Sequence, residues 1–167
     1  MKNLRASLGQ LFVIILVCSP ALSQADELWK GAPNPQLLSV SIMGGLGTWG
    51  GSEEFSLLGS IAYKIKHEGL LDDVNDQLYL EAQAGPSFGG GVSPISYSIH
   101  LRWDFHKDFD WSFFAIGGLA GAFELSGYGG FIYPRFGVGA FWHFLDAFSF
   151  RFDVSREFLG AGIATQF

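Results

Sequence analysis

The chain has 167 residues, of which 49% are hydrophobic and 16% aromatic, with 17 phenylalanines and 23 glycines. Charged residues make up 16%, where an ordinary soluble domain carries roughly 25%; this excludes a disordered chain and fits a cytosolic surface badly. A formal net charge of −6, with no basic patch or stripe, excludes a phosphate-backbone binder, so no nucleic-acid partner is expected.

The first 23 residues read as a secretory signal peptide. Lys2 and Arg5 give a positive start, residues 11 to 17 an unbroken apolar run, and Ala21-Leu22-Ser23 a small-residue exit with cleavage after Ser23. The apolar run is too short to span a bilayer. Cys18 is the only cysteine, and Val17 stands before it where lipoprotein acylation wants a small residue. The chain after this segment therefore has no thiol for a disulfide, a metal or a nucleophile. Losing Lys2 and Arg5 takes the ten basic residues to eight, against sixteen acidic ones. Residues 24 to 36, with Pro33 and Pro35, form a short lead-in to the first regular element.

No later stretch is apolar for the ~18 residues that a transmembrane helix needs. Alternation takes its place. From 95 to 106, Ile95, Tyr97, Ile99, Leu101, Trp103 and Phe105 fall on one side, and Ser96, Ser98, His100, Arg102, Asp104 and His106 on the other. A period of two sustained over this length specifies a strand. The same split runs through residues 77 to 88 and 147 to 155. The whole chain then reads as eight strands, near 37–49, 55–65, 77–88, 95–106, 111–125, 131–144, 147–156 and 158–167. The links between them are rich in Gly, Asp, Asn and Pro, as turns require. Eight short-linked antiparallel strands imply an all-β, up-and-down barrel, because closure removes both exposed edges.

Which face is inside follows from the size and charge of the side chains. The apolar face carries no charged residue within these strands and is built of large groups, among them Phe55, Tyr63, Trp103, Trp111, Phe113, Phe136, Trp142, Phe144 and Phe150. The opposite face mixes Gly, Ser and Ala with Phe114, Ile116, Phe131, Tyr133, Phe141 and a sparse set of charges. That mixture is a poor coat for water and suits a narrow, packed lumen, so the large apolar groups face lipid. Tyr63, Trp103, Phe105, Trp111, Trp142, Phe144, Phe148 and Phe167 fall near one end of the strands, as an interfacial aromatic girdle does.

With a signal peptide, an even number of strands and an alternating last strand ending in Phe167, the chain resembles the small outer-membrane β-barrels of Gram-negative bacteria, of the OmpA-like type. The resemblance covers 37 to 167. It implies an eight-stranded transmembrane barrel in the cell outer membrane, a periplasmic lead-in over 24 to 36, and monomeric packing against membrane lipid. It also implies that Phe167, with Leu159, Ala161, Ile163 and Thr165, is read as an assembly signal by the barrel-assembly machinery. Two departures stand out: the longest link, 66 to 76, falls on the periplasmic side, and the outer loops are too short for an obvious receptor or adhesin.

On the lumen face the strands offer Lys64, Glu81, His100, Arg102, Asp104, Glu124, Arg135, His143, Arg151 and Asp153. An ionic network of Lys64, Glu81, Arg102, Asp104, Glu124, Arg135, Arg151 and Asp153 is expected to plug the lumen, since buried charges are costly unless paired. A hairpin centred in 89 to 94 sets Glu81 opposite Arg102. The role implied is structural, in the integrity of the envelope. The alternatives are a narrow, porin-like pore for small solutes and a lipid A-modifying enzyme. His143 and Ser149 face each other across the turn at 145–146, but both point into the lumen, so no enzyme is expected. His100 and His106 lie about 20 Å apart along one strand, so neither a metal nor a cofactor is expected. The glycine runs at 44–47 and 117–121 lie inside strands with no helix or lysine after them, which reads as curvature and not as a phosphate loop.

Overall fold

A computed structural model describes residues 36–48, 53–66, 69–71, 74–89, 93–124 and 130–167. The proposed signal peptide and nearly all of the lead-in lie outside the described residues. Eight strands follow in order: β1 Leu38–Gly47, β2 Glu54–Lys66, β3 Asp76–Phe88, β4 Ile95–His106, β5 Trp111–Phe123, β6 Gly130–Leu145, β7 Phe148–Ser155 and β8 Phe158–Gln166. Each pairs antiparallel with the next, and β8 returns to β1, so the sheet is a closed barrel. Ile42 lies opposite Ile163 and Leu46 opposite Leu159 across the closing seam. Leu37 and Leu38 donate backbone N–H bonds to the Phe167 carbonyl at 2.7 and 3.1 Å, which ties residues 37 and 167 together at one end of the barrel. That end is called the terminal end below and the other the loop end.

The period-two sequence produces the wall directly. In β2 buried and exposed residues alternate from Glu54 to Tyr63, with Ser56, Leu58, Ser60, Ala62 and Lys64 inward and Phe55, Leu57, Ile61, Tyr63 and Ile65 outward. Every strand repeats this division. Side chains pack ring against ring on the outside near the terminal end: Trp111 on Trp142 at 6.3 Å, Trp142 on Phe150 at 5.7 Å and Phe144 on Phe150 at 4.8 Å between centroids. A second band at the loop end includes Tyr97 and Phe123, 5.9 Å apart. One carboxylate of the strands stands on the outward side, near the exposed Lys66, which pairs with outward-facing Leu78 past the irregularity that ends β2. Asp76 opens β3 one residue earlier than the alternation implied, and so corrects the expectation of a charge-free outer face.

The core lies inside the tube as two apolar clusters. Met43, Leu58, Ala120, Ala122 and Phe158 pack near the loop end with Tyr133 against them, and Phe114, Ile116, Phe141 and Ala164 pack nearer the terminal end. Side chains fill the lumen of a barrel this narrow.

Candidate functional site: a charged network across the lumen

A group of buried charges lies in the lumen beside the cluster of Phe114, Ile116 and Phe141, with Asp104 opposite Phe114, Arg102 opposite Ile116 and Arg151 opposite Phe141. Arg102 and Asp104 are two apart on β4, and Arg151 and Asp153 two apart on β7, so each pair shares one face of its strand. Both pairs are forked: Arg102 Nε and Nη2 donate to the two Asp104 oxygens at 2.8 and 3.0 Å, and Arg151 Nε and Nη2 donate to Asp153 at 2.9 and 3.0 Å. Glu81 on β3 joins them. Its Oε2 accepts from Arg102 Nη1 and its Oε1 lies against Arg151 Nη1, both at 2.7 Å. The result is one chain, Asp104–Arg102–Glu81–Arg151–Asp153, in which β3 and β7, on opposite sides of an eight-stranded ring, are bridged across the diameter.

Arg135 on β6 extends this chain toward the loop end. Its Nη1 donates to Gln83 Oε1 and Ser98 Oγ, each at 2.6 Å, and its Nε pairs with Glu157 at 2.9 Å. Glu157 sits in the two-residue link between β7 and β8, and its Oε1 also accepts from Ser155 Oγ at 2.9 Å. Lys64, opposite Tyr79 across β2 and β3, holds its ammonium 5.6 Å from the Tyr79 ring and in electrostatic reach of Asp104. Four cations, Lys64, Arg102, Arg135 and Arg151, thus face four carboxylates, Glu81, Asp104, Asp153 and Glu157, each no more than 4% exposed. The two bridging guanidiniums also lie over rings, Arg102 at 4.6 Å from Tyr79 and 5.0 Å from Phe141, and Arg151 at 5.0 Å from Phe114. Such contacts strengthen when both partners are out of water.

The expected pairing of Glu81 with Arg102 needs a correction in register. Glu81 lies opposite His100, and Arg102 opposite Tyr79. The ion pair forms along the diagonal because the long guanidinium reaches a neighbour two residues along the facing strand. Glu124 lies one residue past β5, half-buried at the mouth of the loop end. Glu157 belongs to the network and was not among the expected residues. The repeated Arg-aromatic-Asp at 102–104 and 151–153 was the sequence signal for the two forks.

Nearer the terminal end the polar groups form a second chain, without charge. Gln77 Oε1 can only accept, and it receives the Tyr79 hydroxyl at 3.0 Å and His106 Nε2 at 3.3 Å. His106 Nδ1 is then the acceptor of the neutral ring, so the Ser112 hydroxyl donates to it at 2.7 Å. Ser112 Oγ in turn accepts from His143 Nε2 at 2.8 Å, which leaves His143 Nδ1 to accept the Ser149 hydroxyl at 2.7 Å. One acceptor thus sets the tautomers of both histidines and the direction of each bond. Ser149 and His143 make the contact of a hydrolase dyad, but the other ring nitrogen faces a serine and not a carboxylate, and Ser149 is 2% exposed. Among the described residues no group of three His, Cys, Asp or Glu converges as metal ligands.

No family model and no curated protein matches the chain. Solved structures do. A designed transmembrane β-barrel superposes with a TM-score of 0.58 at 14% identity, over 80% of this chain and 98% of the other. The N-terminal β-barrel domain of Pseudomonas aeruginosa OprF gives 0.51 at 14% identity, over 79% and 98%. The attachment invasion locus protein Ail of Yersinia pestis, solved with the heparin analogue sucrose octasulfate, gives 0.51 at 11% identity, over 77% and 97%. At these identities the likeness is one of fold: this chain adopts the closed eight-stranded architecture of transmembrane β-barrels.

Proposed function

We propose that the chain is an integral protein of the bacterial outer membrane, with a lumen closed by its own charges and a structural role in the envelope. The observation that carries this reading is the bridge Asp104–Arg102–Glu81–Arg151–Asp153 across the tube, its guanidiniums packed over the Phe114 and Phe141 rings. A water-filled conduction path would replace such pairs by hydrated side chains, whereas here the charged groups satisfy one another out of water. The outward face supports the location. It is apolar over the height of the wall, has aromatic bands at both ends, and keeps its one strand carboxylate, Asp76, only 3% exposed. Catalysis is not part of the reading, because the Ser149 hydroxyl is shut inside the lumen.

Two measurements test it. The protein refolded into planar bilayers is expected to give no conductance steps, and steady ion conduction would overturn the closed lumen. The protein expressed with residues 1–23 is expected in the outer-membrane fraction, and recovery as a soluble periplasmic protein would overturn the location. The assembly role proposed for Phe167 has its own test. Phe167→Asp is expected to reduce barrel yield in the outer membrane while secretion continues, which comparison of periplasmic and membrane fractions measures.

A further inference from the structure

The link between β2 and β3 is the longest in the barrel and lies at the terminal end. Its described part is held against the outside of the wall. Asp76 opens β3 on the outward side, in register with Phe105, yet the residue is only 3% exposed. Its cover is the segment 69–71. The Asp76 carboxylate accepts the backbone N–H of Leu70 at 2.7 Å and of Leu71 at 3.4 Å, together with the indole N–H of Trp103 at 2.5 Å. Gly69 makes this approach possible. Its φ is +53°, and a Cβ there would lie 2.0 Å from Asp76 Oδ1, so no other residue lets the segment come so close. Beyond it, Val74 donates its N–H to the Leu71 carbonyl at 3.3 Å, and Asn75 accepts from the His106 N–H at 2.9 Å.

The described residues of this link present apolar side chains away from the protein. Leu70, Leu71 and Val74 are 50%, 44% and 42% exposed, beside the outward-facing Leu78, Trp103 and Phe105 of the wall. We propose that the segment is an interfacial foot, with Leu70, Leu71 and Val74 entering the boundary between headgroups and acyl chains of the phospholipid leaflet at the terminal end. The inference rests on the reading of the barrel as a membrane protein. Continuity argues for lipid as the occupant. The three side chains extend an apolar belt that already faces lipid, at the level of its aromatic girdle, and amphipathic surface at that level buries about 5–10 Å deep. The carboxylate beneath is consistent with it. A charge at the edge of a lipid belt is costly alone, and three N–H donors with a backbone cover make Asp76 compatible with that position.

The test places an environment-sensitive fluorophore on single cysteines in the chain carrying Cys18→Ser, refolded into phosphatidylcholine vesicles. The sites are Leu71→Cys on the foot, Ile99→Cys in mid-belt and Asp146→Cys in the exposed turn between β6 and β7. In vesicles of lipid brominated high on the acyl chain, the Leu71→Cys label is expected to lose emission to an extent comparable with Ile99→Cys, and the Asp146→Cys label to lose little. Loss at Ile99→Cys with none at Leu71→Cys overturns the foot and points to water or a protein partner at this surface. No loss at Ile99→Cys overturns the membrane reading itself. Adding Asp76→Ala is expected to abolish the loss at Leu71→Cys while leaving that at Ile99→Cys. Unchanged quenching at Leu71→Cys would show that the carboxylate does not hold the segment down, and would overturn its role as the anchor.

Discussion

The outward and inward faces of the same strands differ in what they demand of their neighbours. Outward, Ile42, Ile61, Ile99, Leu119 and Ile163 are each at least half exposed, with lipid as the proposed solvent and no specific partner needed. Inward, Glu81, Arg102, Arg135, Arg151 and Asp153 show no exposed surface, and each is matched to a named atom on another strand. The outward face therefore asks only for composition, whereas the inward face asks for identity, register and rotamer. An aliphatic swap outside should pass almost unnoticed, and a single missing partner inside should not.

The contrast is broken most severely at the bridge. Arg151→Ala removes the guanidinium shared by Glu81 and Asp153 and leaves two carboxylates buried without it. It is expected to cost about 3–5 kcal/mol in urea unfolding of the barrel refolded in lipid vesicles. The outward face is broken next, by making its composition wrong. Ile99→Arg, half-way along β4, is expected to cost about 2–4 kcal/mol in the same assay, whereas Ile99→Leu should be nearly neutral.

A double-mutant cycle sharpens the inward side. Glu81→Gln and Arg102→Gln, made singly and together, should show a coupling of about 0.5–3 kcal/mol, because the partners touch directly. Additivity would break the diagonal pairing. The uncharged chain near the terminal end offers a further break without any charge. Ser112→Ala leaves His143 Nε2–H without its acceptor and His106 Nδ1 without its donor, at an expected cost of about 1–3 kcal/mol. Its specific mark is a change in the imidazole proton and nitrogen shifts of both rings by NMR, since one hydroxyl orients the pair.

How far each face was legible in the sequence follows from the same difference. Period two gave all eight strands to within a few residues and the outward set almost entirely, because a lipid face is written one residue at a time. Asp76 escaped because its cover comes from another part of the chain, the link at 69–71, and no strand pattern reports a segment folded back over the wall. The inward residues were legible as a list and not as partners. The hairpin arithmetic for Glu81 and Arg102 missed by one step of two residues, since the 89–94 link does not divide evenly between β3 and β4. Glu157 was hidden by its place in a two-residue turn, from which it reaches Arg135 inside the tube. The directed chain from Ser149 to Gln77 runs through five consecutive strands, β7 back to β3, and only their pairing register brings these side chains to one level.

The bridge across the lumen also has a place in time. Arg151 donates to Ser41, 110 residues away in sequence, and to Ser60, 91 away, and Arg135 donates to Gln83, 52 away. Neighbouring strands can zip pairwise through short turns, but these contacts have no partner to meet until β8 closes on β1. They form after the rate-limiting step of folding if that step precedes closure, so their loss falls on the escape from the closed state. Arg151→Ala should then hasten unfolding far more than it slows folding, and the network would act as a latch that sets how long the finished barrel persists.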